Sequence, residues 1–272
     1  MSAPGRPLPD YASVAHVARV YDYLLGGKDN FAVDREAAEQ AMKINPDIVA
    51  TARANRAFLV RATSYLAGEV GIRQFLDIGT GMPTNSNIHE VAQSIAPESA
   101  IVYVDHDPIV LSHARALLTS SPEGHTDYIE ADLRDPEQIL AEAARTLDFS
   151  RPVALMLIAV LHLIGDEDDP RDLVRRLVDA LVPGSYVVIS HAASDIGGGE
   201  MMPMAARLNT LMAQQSVPRS RQQVAAYFDQ PGLELLEPGL VRVPEWHPAP
   251  GSTRTAHESA QMWAGVAVKT SG

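Results

Sequence analysis

Three aspartates, Asp77, Asp105 and Asp132, lie at the ends of apolar runs, and they carry most of the chemistry that the sequence suggests. The first belongs to a glycine turn, Asp77-Ile-Gly79-Thr80-Gly81-Met-Pro83, entered from Phe75-Leu76. Glycine makes a tight turn possible and lets backbone approach a ligand with no Cβ in the way. The carboxyl end of a first strand is also where open α/β sheets bind ligands.

The turn departs from a dinucleotide fingerprint. G-x-G-x-x-G aims backbone N–H groups at a pyrophosphate. Here Thr84 stands in the third glycine place, and Pro83 has no N–H to give. Both changes weaken a pyrophosphate site and leave a phosphate-free ligand unaffected. S-adenosylmethionine is such a ligand, with adenosine at one end and an amino-acid zwitterion at the other. Asp77 suits its α-ammonium or a bound water, and Thr80 lies in the same turn.

Asp105 ends Ile101-Val-Tyr-Val-Asp105, 24 residues past Gly81, and His106 follows it. A carboxylate at the end of a second strand accepts hydrogen bonds from ribose hydroxyls, in NAD and S-adenosylmethionine alike. Asp132 ends Tyr128-Ile-Glu-Ala-Asp132 and precedes apolar Leu133. An acid there can accept from an adenine amino group while backbone N–H beside it reaches a ring nitrogen. Asp107 and Asp135 precede Pro108 and Pro136 and read as helix N-caps. A lone glycine turn is a weak signal, because packing explains many of them. Three signals at the ends of three successive strands read as one adenosine pocket.

Methyl transfer from a sulfonium needs alignment and exclusion of water. A general base is needed only where the acceptor must lose a proton. The candidates are His191, His162 and Tyr21. His191 ends an expected fifth strand, where its ring would face the acceptor. His162 sits in an apolar turn, which reads more readily as packing. Tyr21 would line the acceptor side. His247 and His257 belong to no paired metal-ligand motif, so no metal site is expected.

These groups need a scaffold. Short apolar runs at 74–78, 100–104, 126–130, 153–158 and 186–190 alternate with amphipathic stretches at 87–95, 108–118, 136–146 and 170–181. That alternation is the mark of βαβ units. Two more helices, 201–215 and 221–228, precede strands at 240–243 and 262–268, and the loop between those strands has no helical period. The last pair therefore reads as an antiparallel hairpin. The expected fold is α/β, a Rossmann-like mostly parallel sheet with helices on both faces, a last strand antiparallel, and extra N-terminal helices. Residues 1–70 read as a helical lid within the same domain, with helices at 12–25, 34–43 and 46–68 after a Pro-rich start at 1–9. Val14, Val17, Val20, Tyr21 and Leu24 form the apolar face of the first. Residues 71–272 read as the cofactor-binding domain.

Composition narrows the partners. The net charge is -12, and no basic run exceeds the pair Arg175-Arg176, so a nucleic-acid partner is disfavoured. There is no cysteine, which excludes disulfides and thiolate chemistry. No signal peptide and no membrane-spanning run is visible, so a cytoplasmic protein is expected. A homodimer is compatible with the sequence.

The chain resembles class I S-adenosylmethionine methyltransferases. Asp77-x-Gly79-x-Gly81, Asp105 and Asp132 match that class's three cofactor segments, and Val160-Leu-His-Leu163 looks like the segment that closes over the cofactor, next to Ala159. It is more closely similar to a group of uncharacterised methyltransferases of actinobacteria. Arg19-Val-Tyr-Asp-Tyr-Leu-Leu-Gly-Gly-Lys-Asp-Asn-Phe-Ala-Val-Asp34, Asn55-Arg-Ala-Phe58, and Phe75 to Thr84 with its proline carry that likeness. The resemblance covers nearly the whole chain and implies the cofactor without an acceptor. Pro83, where the broad class often has a third glycine, also stands in the closer group.

The loop Gly26-Gly-Lys28-Asp-Asn30 is expected to fold over the pocket mouth, with Lys28 or Asn30 meeting the cofactor's carboxylate. Lys28 and Asn30 read equally well as a solvated helix stop, and Arg56 as a pocket residue or a surface ion-pair partner. The leading function is methylation of a small-molecule acceptor. A cofactor-binding module without catalysis is the alternative, followed by an NAD-dependent oxidoreductase.

Overall fold

The computed structural model describes residues 13–84, 86–117, 119–197, 201–248 and 259–271. The Pro-rich start and His257 lie outside them. Eight strands make one sheet, in the order β3-β2-β1-β4-β5-β8-β6, with β7 also paired to β8. The strands are β1 Gln74–Ile78, β2 Ala100–Asp105, β3 His125–Glu130, β4 Ala154–Ile158, β5 Tyr186–Ala192, β6 Leu233–Leu235, β7 Val241–Arg242 and β8 Met262–Lys269. Pairing from β3 through β5 is parallel. β8 runs antiparallel to β5, β6 and β7.

β1 and β4 are buried along their whole length, so they are apolar runs rather than alternating ones. The chain moves outward from β1 to β2 and β3, then returns to place β4 on the other side of β1. The carboxyl ends of β1 and β4 therefore flank a topological switch point, where such sheets leave a crevice.

The connecting helices are α4 Ile88–Ile95, α5 Pro108–Leu117, α6 Pro136–Ala143 and α7 Pro170–Asp179. Asp135 caps α6 through the Gln138 N–H, and Asp107 takes the Ile109 N–H at the start of α5. One core layer holds Leu155, Leu177 and Ile189; the other holds Phe58, Phe75 and Trp246.

The N-terminal helices are α1 Val17–Leu24, α2 Ala32–Ile44 and α3 Ile48–Tyr65, the last continuing through a π turn to left-handed Gly71. Their junction is ionic as well as apolar. Arg19 donates from Nε to Asp34 at 2.7 Å with both side chains buried. Asp34 also accepts the His16 and Phe31 N–H groups. The two ends of the segment from Arg19 to Asp34 are thus bonded to each other.

Several expectations change. The first helix begins at Val17, which leaves Val14 outside it and 52% exposed. The helix expected over 201–215 stops at Asn209 as α8 Met201–Asn209, and that over 221–228 shortens to α9 Arg221–Ala225. Chain past α8 instead turns back along the sheet's carboxyl edge. β6 was not anticipated: three residues long, it exists by pairing with β8. The hairpin partner β7 is two residues long, and β8 makes its long register with β5.

Candidate cofactor site

The carboxyl ends of β1 to β4 open onto one cavity of about 390 Å³. Gly79, Asp105, His106, Asp132 and Leu133 all reach its wall. The segment after β4 supplies Val160, Leu163 and Ile164, and the irregular stretch after α8 adds Gln214 and Val217.

The two glycines of the turn answer different needs. Both have left-handed φ, +78° at Gly79 and +65° at Gly81. A Cβ on Gly79 would stand 2.3 Å from Val160 Cγ2, so that glycine lets the segment after β4 close against the turn. A Cβ on Gly81 would meet only Ala18, at 3.9 Å. Gly81 N–H instead donates to Asp105 Oδ2 at 2.9 Å.

Asp105 accepts a second bond, from Asp107 N–H at 2.9 Å, and His106 Nδ1 stands 3.7 Å from it. Burial pushes its carboxyl up, against the pull of these two N–H donors. Asp77 lies behind the turn and accepts from the Thr80 hydroxyl at 2.7 Å. Burial pushes Asp77 up to about 6, with the Thr80 bond and the Arg56 charge opposing. Arg56, on α3, donates to Ser86 O and Asn87 Oδ1 at 2.9 and 3.1 Å.

Asp132 accepts the Arg134 N–H at 2.9 Å. The Arg134 guanidinium spans Asp132 at 3.2 Å and Asp168 at 2.6 Å. Ala159, at φ +54°, donates to the carbonyl and hydroxyl of Ser190 at 3.1 and 3.0 Å. The Ser190 hydroxyl donates to Asn55 Oδ1 at 2.6 Å, and Asn55 Nδ2 donates to the Tyr21 hydroxyl at 3.0 Å. Tyr21 in turn donates to Ala52 O at 3.0 Å. A line of hydrogen bonds thus joins α1 to the ends of β4 and β5.

This geometry corrects the reading of the N-terminal loop and of the candidate bases. Lys28 is exposed, and Asn30 donates to Asp22 and Gly27 at 2.8 and 3.2 Å; neither belongs to the cavity wall. The loop closes on Asp22, which accepts from both Asp29 N–H and the Asn30 amide, rather than over the mouth. The Tyr21 hydroxyl is engaged on both sides, and burial raises it further from ionisation. His191 does not face an open pocket: it is wholly buried, with Nε2 3.1 Å from Arg219 Nη1 and Nδ1 2.8 Å from Ala192 O. An arginine only donates, so Nε2 accepts and Nδ1 carries the proton. Burial, with His162 next to it, pushes His191 well below the ordinary range. His162 packs edge-on against it and falls to about 4 through burial and the Arg219 charge.

Arg134 and Arg219 were missed from sequence. Arg134 bonds Asp132 close by but reaches Asp168 only through the fold, and Arg219 takes its side-chain partners from residues 161, 164, 166 and 191.

A family model for S-adenosyl methyltransferases matches residues 10–270. The chain belongs to this family. Its cofactor is S-adenosylmethionine. The chain is similar to the crystal structure of a DUF574 family protein from Streptomyces avermitilis MA-4680, with 45% identity, a TM-score of 0.89, and coverage of 95% of this chain and 98% of that one. It is also similar to a provisional methyltransferase of Thermobifida fusca YX, with 39% identity, a TM-score of 0.85, and coverage of 98% and 100%. Human N-acetylserotonin methyltransferase in complex with S-adenosylmethionine shares the fold at 17% identity, with a TM-score of 0.51 over 92% of this chain and 62% of that one. No curated protein matches the chain. Among the described residues, the family member has no helix long and apolar enough to cross a membrane, and no cluster of three metal-ligating side chains.

Proposed function

We propose that this family member transfers the methyl group of S-adenosylmethionine to a small-molecule acceptor, with the adenosine held in the cavity at the ends of β1 to β4. One observation carries the reading: the glycine turn, Asp105 and Asp132 converge on a single crevice at the switch point. The cavity volume lies within the range of about 300–1,000 Å³ typical of small-molecule sites. Asp105 holds the ribose hydroxyls, with His106 beside it. Asp132 and the backbone at Leu133 take the adenine edge, against the apolar wall from Val160 to Ile164. Asp77, steadied by Thr80, receives the α-ammonium, and Arg56 across from it receives the carboxylate. Gly79, Gly81 and Ala159 shape the backbone around them.

When bound, S-adenosylmethionine supplies an electrophilic methyl on sulfur. The chain's part is alignment and exclusion of water. His191, His162 and Tyr21 are all packed or bonded, which favours an acceptor whose proton needs no protein base. The net charge of -12 supports a diffusible acceptor over nucleic acid, in a cytoplasmic protein compatible with a homodimer.

Calorimetric titration with S-adenosylhomocysteine tests the site, with NAD as the control and Asp105→Ala as the variant. Binding of the first alone, weakened in the variant, supports the reading; NAD binding, or no binding, overturns it. The same packed histidines favour a second reading, a cofactor-binding module without turnover. Formation of S-adenosylhomocysteine with any member of an acceptor collection decides against that module.

A further inference from the structure

The cavity wall after β4 has little regular structure to hold it. Two short 3-10 turns, Leu161–Leu163 and Asp166–Asp168, are the regular structure there, yet the segment contributes Val160, Leu163, Ile164, Gly165 and Glu167 to the wall. Their anchor is a side chain from elsewhere. Arg219 is buried, and its guanidinium donates to Leu161 O at 3.1 Å, Ile164 O at 3.0 Å and Asp166 Oδ1 at 2.6 Å. It also donates to His191 Nε2 at 3.1 Å. Its own backbone bridges to the end of β5: Arg219 N–H donates to Ala192 O, and Ser194 N–H donates to Arg219 O, both at 3.0 Å. Two residues earlier, Val217 lines the cavity and donates to His162 O at 2.7 Å.

We infer that Arg219 is the positioning residue for the cofactor cavity: its planar fork fixes the segment 161–166 against β5 and so sets the wall that the adenosine meets. The inference rests on the proposed cofactor site for its ligand, and on the hydrogen bonds alone for its mechanics. Lysine cannot reproduce it, since an ammonium lacks the fixed fork that reaches several acceptors at once. Arg219 touches no reacting group. By occupying His191 Nε2 it also withholds that nitrogen from proton transfer.

The test compares wild type with Arg219→Ala, Arg219→Lys and Asp166→Asn, by S-adenosylhomocysteine titration and by amide hydrogen exchange of ligand-free protein over 161–167. Asp166 has a side chain 75% exposed, so its variant keeps the fold if the alanine variant does not. The expected result is about tenfold or greater weakening in both Arg219 variants, a scale set by misplacing groups around a bound ligand. Low-millimolar guanidinium should restore binding in Arg219→Ala where equal sodium chloride does not, a rescue that general destabilisation would not give. Asp166→Asn should quicken exchange over 161–167 and weaken binding several-fold. Wild-type affinity in Arg219→Lys overturns the inference, as does unchanged exchange in Asp166→Asn. If wild type binds no S-adenosylhomocysteine, the proposed cofactor site fails, and exchange over 161–167 still decides the role of Arg219.

Discussion

Asp105, at the end of β2, accepts the Gly81 N–H at 2.9 Å, so the acid and the glycine turn are one bonded unit. The other carboxylate oxygen takes the Asp107 N–H. The acid stays oriented toward the cavity because backbone donors hold it from behind. Asp105→Ala leaves those buried donors without an acceptor, at roughly 1–3 kcal/mol each. The variant should bind S-adenosylhomocysteine about tenfold to a hundredfold more weakly by calorimetry. It should also melt at a lower temperature without ligand.

Asp77 makes stability depend on pH. Its carboxyl is raised in the folded state, so ionisation takes stability away. The loss starts above the ordinary 3.8 and is complete above about 6. Asp77→Asn keeps an oxygen for the Thr80 hydroxyl and removes the buried charge. At pH 7.5 it should be more stable than wild type by up to roughly 3 kcal/mol in urea unfolding. The difference should shrink toward zero near pH 4.

The same carboxyl gives binding a pH dependence. A ligand ammonium beside Asp77 favours the ionised form, so binding below about pH 6 releases a proton. Affinity for S-adenosylhomocysteine should rise with pH up to that point and then level off. Calorimetry in buffers of different ionisation enthalpy reads the proton directly. A flat profile in wild type would place the ammonium elsewhere.

Arg56 should discriminate between ligands. Arg56→Met removes the cation proposed for the carboxylate. It should weaken S-adenosylhomocysteine about tenfold or more, the range of a charge-assisted hydrogen bond. Binding of 5′-methylthioadenosine, which lacks the amino-acid end, should stay within twofold by the same scale. Equal losses for both ligands would make Arg56 a support for the turn.

The glycines should separate in melting experiments. Gly79→Ala drives a Cβ into Val160 and also pays for a left-handed φ, together about 2–4 kcal/mol. Gly81→Ala has room near Ala18 and carries the φ penalty alone, about 1 kcal/mol.

Strands β1, β2, β4 and β5 were legible in the sequence because burial on both faces writes itself as largely apolar runs, whereas the edge strand β3 is only partly buried and shows through its spacing from β2. Asp77, Gly79 and Asp105 were legible because they stand where those runs stop, and Asp132 because it stands just past β3 in the same place relative to the sheet. β6 was not, since Leu233–Leu235 has too few residues to show a period and depends on β8 for its pairing. Lys28 and Asn30 pointed to the cavity by residue type alone; the chain instead gave Asn30 to Asp22. Arg219 left no local trace, because a guanidinium in coil takes its meaning from acceptors at 161, 164, 166 and 191, which only the fold assembles.

The placement of β8 has a consequence for how the molecule comes together. β1 to β5 follow one another and join through short crossovers. β8 joins late in sequence, Val268 pairing with Tyr186, and among the described residues β6 reaches the sheet through β8. Closing that distant contact is slow relative to local pairing. Until it closes, β5 is an open edge with unpaired backbone, a template for another chain. Refolding yield should therefore fall with protein concentration, with the late arrival of β8 setting how long each molecule remains exposed to that hazard.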